Sequence, residues 1–270
     1  MNWDRNHGQR ATLVLVGSVL LVFLLVPVFA LFATSTLTDF IAGLGDPSVV
    51  PAIELSLFTT TISLLFVVTF GTPLAWVLAR SEGRLLHWIE VFLELPIVIP
   101  PAVAGVALLL AFGRRGILAG WLYPAGWSVT FTTTAVILAE VFVSAPFFVR
   151  AATAAFRRVN EDLIIVARSF GSSPLRVFFR VAIPLAKPGL RTGAALSWAR
   201  ALGEFGATLM FAGNLPGKTQ TLPLAIYTAL EGDLRTAQSI SIVLVVLAFG
   251  LLASIRLLTP SDPSPILGKR

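Results

Sequence analysis

The chain of 270 residues is 56% hydrophobic and 13% charged, with a mean hydropathy of +0.87, which is more apolar surface than a water-soluble core of this length can hide. Its net charge of +6 and pI near 10.7 require no nucleic-acid partner, because basic residues gathered on the cytosolic side of a membrane produce the same balance. With no cysteine there are no disulfides, thiol nucleophiles or thiolate metal sites, and the two histidines, His7 and His87, fall near span ends as interfacial groups; no metal is expected.

Crossing a bilayer as a helix takes about 20 apolar residues. Six runs qualify, near 11–33, 53–79, 88–112, 130–149, 190–212 and 237–258, which predicts an all-α polytopic membrane protein forming a single transmembrane domain over residues 1–270. The first run is longer than the apolar region of a secretion signal and reads as a permanent span, with a leader cleaved near Ala33 as the alternative. The third contains "LPIVIPPAVAG", and Pro96, Pro100 and Pro101 must bend or break it, because proline lacks an N–H and clashes with the preceding turn. Two readings of Pro100 and Pro101 stand: a kink needed for packing, or a place in a translocation pathway.

Lysine and arginine bias orients the spans. With both termini in the cytosol, only Arg114, Arg115, Lys218 and Arg235 fall outside and Arg200 within a span, while the other basic residues of the 20 fall inside, among them Arg5, Arg10, Lys269 and Arg270. The same topology disposes of "GNLPGKT", residues 213–219, as a nucleotide loop. A phosphate loop needs four residues between its glycines and backbone N–H groups throughout; here Asn214, Leu215 and Pro216 intervene, on the outer face. The stretch reads as a turn.

The longest inner connection, about 150–190, is the most informative. In "NEDLIIVARSFGSSPLRVFFRVAIPLAKPG", Asn160 is placed to cap a helix whose first turn carries Glu161 and Asp162, and Gly171 to end it. Ser173 and Pro174 start a second helix, Pro184 limits it, and Leu175, Phe178 and Phe179 are expected to lie against the bundle. A short capped helix projecting into the cytosol suits docking into a partner's cleft; an amphipathic helix lying on lipid is the alternative.

Gly171, nine residues and then "VAIP" (Val181 to Pro184) resemble the EAA loop of permease subunits of binding-protein-dependent ABC importers. In that register Ile165, Val166 and Ala167 take the Glu-Ala-Ala positions, so the glutamate is missing, and Arg168 and Gly171 complete the ATPase-coupling set. The resemblance implies the type I importer permease fold in a cell membrane: a homodimer whose coupling helices sit on a cytosolic ABC ATPase dimer. ATP and Mg would then be bound by that partner, with no cofactor and no catalysis in this chain. A second stretch, "ARALGEFGATLMFAGNLPGKTQTLPLAIYTALEGD" (residues 199–233), is similar to permeases of molybdate and tungstate importers, with sulfate and thiosulfate permeases as near relatives; this implies an extracytoplasmic oxyanion-binding protein.

Ionisable groups inside spans usually face protein or water. Glu90 and Glu94 start the third span as solvated interfacial groups, and Glu140 lies near mid-span with no evident partner. Arg200 and Glu204 are spaced to pair on one helix face that Ser197 and Thr208 extend, either lining the route of an oxyanion or tying the bundle together. A conduit needs weak retention, so no tight oxyanion site is expected in this chain alone. The rival from another class is a proton- or sodium-coupled carrier titrating Glu140 or Glu204; an intramembrane enzyme is weaker, for want of a serine-histidine or paired-histidine arrangement.

Overall fold

The computed structural model describes residues 7–258 apart from Glu82 and Tyr123, so Arg5, Lys269 and Arg270, expected on the inner face, lie outside the described residues. Every described element is helical: α1 (His7–Ala33), α2 (Leu37–Leu44), α3 (Val49–Arg80), α4 (Arg84–Val98), α5 (Pro101–Phe112), α6 (Ala119–Leu122) and α7 (Thr133–Arg157). The second half contains α8 (Glu161–Ser169), α9 (Pro174–Val177), a π turn (Phe178–Ala182), α10 (Ile183–Leu202), α11 (Gly206–Ala212), α12 (Leu222–Leu230) and α13 (Leu234–Leu258).

Four of these helices, α1, α3, α7 and α13, are long and apolar enough to cross a membrane, and the bent pair α4 and α5 makes a fifth if the two form one span. The proline cluster breaks that pair by 115°. Ile99, ahead of Pro100, is forced into extended backbone with ψ 140°, and Pro101 restarts the chain at the first position of α5, where its missing N–H costs nothing.

The remaining span differs from the expected 190–212. Helix begins at Ile183, runs through Pro188, and stops at Leu202; α11 resumes after Gly203, Glu204 and Phe205. With Lys187, Arg191 and Arg200, α10 is less apolar than its neighbours and holds its place by packing. Nor does Pro184 end the second helix of the connection at about 150–190. The wider π turn before it, closed by the Ile183 N–H onto the Phe178 carbonyl, makes room for the proline ring, so α9 continues into α10.

Helix α7 is the central post, flanked by α3 and α10. Lipid gives helices no hydrophobic drive to associate, so contact depends on close van der Waals approach at small residues. On α10, Gly189 meets Ala155 and Gly193 meets Ala151, where an added Cβ would lie 3.0 Å from the alanine methyl. On α3, a Cβ at Gly71 would fall 2.8 Å from the fully buried ring of Phe148. Helix α1 stands apart, joined to α13 where the Gln238 amide donates to the Leu31 carbonyl and the Thr34 hydroxyl at 2.9 and 2.8 Å.

Candidate functional site

At one end of the post, the side-chain carbonyl of Asn160 accepts from the Asp162 N–H at 2.9 Å and starts α8. Gly171 ends it at φ +77°, which lets the N–H of Ser172 reach the Ala167 carbonyl and its own N–H reach Arg168. The Ser173 hydroxyl then accepts from the Arg176 N–H, so the two helices are capped as the sequence predicts. Ile165, Val166 and Arg168 are exposed, Ala167 is half-buried, and Ile164 packs into the cluster of Trp76, Phe156 and Phe178. The expected packing of the second helix is only partly met: Val177 and Phe178 turn inward, whereas Leu175 and Phe179 are 70% and 62% exposed and extend the outward apolar surface with Phe170. Arg80, at the end of α3, donates to the carbonyls of Phe156 and Val159 at 3.2 and 2.8 Å and lies over the Trp76 ring, fastening the α7–α8 corner to α3.

Deeper in the bundle the two broken spans meet. Gly206, at the start of α11, packs on Pro101 at the start of α5, so closely that a Cβ there would stand 2.7 Å from the proline. The starts of α5, capped by Pro100, and of α11 therefore meet, with Glu204 and Thr208 each two residues from Gly206 and Arg200 tied to the junction through Glu204; Arg200, Glu204 and Thr208 do not share one helix face, because the chain breaks between α10 and α11. The Arg200 guanidinium pairs with Glu204 at 2.7 Å, and the same carboxylate accepts from the Ala207 N–H at 2.7 Å. Ser197 faces away toward α7, donating to the Ser144 carbonyl at 3.1 Å, while the buried Thr208 hydroxyl has no hydrogen-bond partner among the described residues.

A polar seam the sequence reading missed runs beside this junction. Glu140 is buried on α7, and its two oxygens accept from Thr59 and Ser63 of α3, each at 2.8 Å. The Trp198 indole donates to Thr60, and Ser56 accepts from the Leu222 N–H. The signal was present: Ser56, Thr59, Thr60 and Ser63 recur at three, four and seven residues within an apolar run, which is one face of a helix. Glu90 and Glu94, expected to be simply solvated, are paired with Arg157 and Arg150 of α7. The stretch "GNLPGKT" is a turn, with Gly213 and Gly217 at positive φ and the Lys218 carbonyl accepting from Thr133.

Two broken helices thus meet inside the bundle, and an exposed capped helix stands at one end of it. Residues 71–258 match the model of the family described as binding-protein-dependent transport system inner membrane component. The chain belongs to that family. It is 42% identical over 240 residues, 89% of this chain and 91% of the relative, to the molybdenum transport system permease protein ModB of Mycobacterium tuberculosis. It is 34% identical over 255 residues to the molybdate/tungstate transport system permease protein WtpB of Pyrococcus abyssi, covering 92% of this chain and 96% of that one. A crystal structure of a bacterial alginate ABC transporter shares the fold at TM-score 0.74 and 18% identity, over 96% of this permease and 97% of the other. The chain is accordingly a multi-pass, non-catalytic membrane permease subunit of an ABC importer.

Proposed function

We propose that this permease imports molybdate or tungstate, as one of two copies seated on a cytosolic ATPase dimer and fed by an extracytoplasmic oxyanion-binding protein. The observation that carries the substrate is the likeness, across nearly the whole chain, to permeases named for molybdenum and for molybdate/tungstate. The geometry agrees with a conduit. The junction of broken helices offers one half-exposed guanidinium already balanced by a carboxylate, a group that can touch a dianion without holding it.

With both termini cytosolic, α8 with Ile165, Val166, Ala167, Arg168 and Gly171 sits in the ATPase cleft, and ATP and Mg are bound there by the partner. Closure of the ATPase pair draws the two coupling segments together and turns the pathway outward; hydrolysis returns it inward, a rigid-body exchange between two states. Lipid surrounds the bundle. The test is uptake into vesicles holding the complete complex: molybdate uptake should require ATP, be suppressed by excess tungstate and survive excess sulfate. Suppression by sulfate would move the substrate to sulfate or thiosulfate, and uptake that ignores ATP but collapses with a protonophore would make the protein a secondary carrier.

A further inference from the structure

We infer that the open edge of Arg200 is where the transported oxyanion touches this chain, and that Glu204 is a resident counter-ion that keeps the contact brief. The inference rests on the oxyanion-import reading and adds to it a site and a division of roles. A guanidinium has five N–H donors in a planar fork. Here one nitrogen is engaged by Glu204 at 2.7 Å, while the Arg200 side chain remains 27% exposed against 1% for the carboxylate. The carboxylate is thus buried, and the guanidinium keeps an exposed edge that Glu204 does not occupy.

Two further observations bear on that edge. Gly203, in the break between α10 and α11, is exposed and has no side chain to cover its neighbour. The break abuts the second break through Gly206 and Pro101, so the site lies where two discontinuous helices face each other.

The carboxylate sets the strength of the contact. A guanidinium alone in a poorly solvated bundle would attract a dianion strongly and detain it, whereas a fixed negative charge behind the guanidinium cancels most of that attraction. Glu204 stays in place because its second bond, from the Ala207 N–H, anchors it to the start of α11. It is a positioning and tuning residue; Arg200 is the contact.

The experiment uses the full-length permease purified with its ATPase, in equilibrium dialysis against radiolabelled molybdate, beside wild-type uptake in vesicles. Glu204→Gln keeps an acceptor for the Ala207 N–H and removes the charge; it is expected to retain molybdate about tenfold to a hundredfold more tightly than wild type and to transport it more slowly. Glu204→Asp, which keeps the charge on a shorter side chain, should retain molybdate less tightly than Glu204→Gln, and the double variant Arg200→Gln with Glu204→Gln should lose the gain. If wild type transports molybdate, tungstate or sulfate and Glu204→Gln retains no more than wild type does, the inference is overturned while the importer reading stands. If wild type transports no oxyanion, both fall. Should Glu204→Gln fail to assemble with the ATPase, Arg200→Lys decides: a raised half-saturation for uptake supports the contact, and unchanged uptake kinetics refute it.

Discussion

Gly171 holds its backbone at φ +77° with no atom near the position of a missing Cβ, so what the site demands is the angle and not the space. A side chain there costs about 1–2 kcal/mol of local strain, and proline, fixed near φ −65°, cannot adopt the angle at all and loses the N–H that reaches Arg168. Gly171→Pro should therefore leave the protein inserted and folded but abolish transport-coupled ATPase activity; persistence of full coupling in a folded variant would show that α8 is not the docking element. Glu140 poses a different residue-scale question, since a proton-coupled carrier would need it to titrate and a structural seam would not. Because its oxygens only accept from Thr59 and Ser63, Glu140→Gln should support near-normal uptake and unfold within about 1 kcal/mol of wild type. Glu140→Ala, which empties the space between α3 and α7, should lose about 2–4 kcal/mol, read as a lowered melting temperature in detergent. Uptake abolished by the glutamine variant would reopen the carrier reading.

Among the elements, α7 owes its central position to small residues that let α10 lie almost against its backbone. Gly189→Val puts a branched side chain where Ala155 already stands, so α10 and α7 must part, and the expected result is a permease that is degraded or unfolds well below the wild-type temperature. A stable, active variant would mean that this contact is looser than its geometry implies. The apolar runs made the helices readable because each is a local property of the chain, and Asn160, Gly171 and Ser173 announced their caps for the same reason. Pro184 misled because a π turn, which depends on the packing of Phe178, absorbs the proline that a regular helix would reject. The expected single face of Ser197, Arg200, Glu204 and Thr208 failed because the helix breaks over Gly203 to Phe205, beside a contact of Gly206 with Pro101, a residue about a hundred positions away. Charge pairing between α4 and α7 was equally invisible, since nothing local brings Glu94 within 3.2 Å of Arg150.

The whole molecule is a permease with no engine of its own, and that fixes what should accompany it. A tagged chain extracted in mild detergent should bring down a stoichiometric soluble ATPase carrying its own complete phosphate loop; recovery of the folded permease alone would count against the proposed assembly. How such an engine would act is set by the path from α9 through the π turn to the end of α10, an unbroken helical run of about 29 residues and roughly 40 Å. One end of that run is held at the α8 corner, close to where Arg80 ties α7 to α3, and the other ends at Arg200 and the broken junction. No slack linker lies between them, so in the proposed assembly a displacement of α9 would reach Arg200 along one continuous helix. A drive shaft without a clutch has little room to slip: the number of nucleotides spent per anion moved is then set by mechanical connection, and idle turnover of fuel in the absence of cargo should be low.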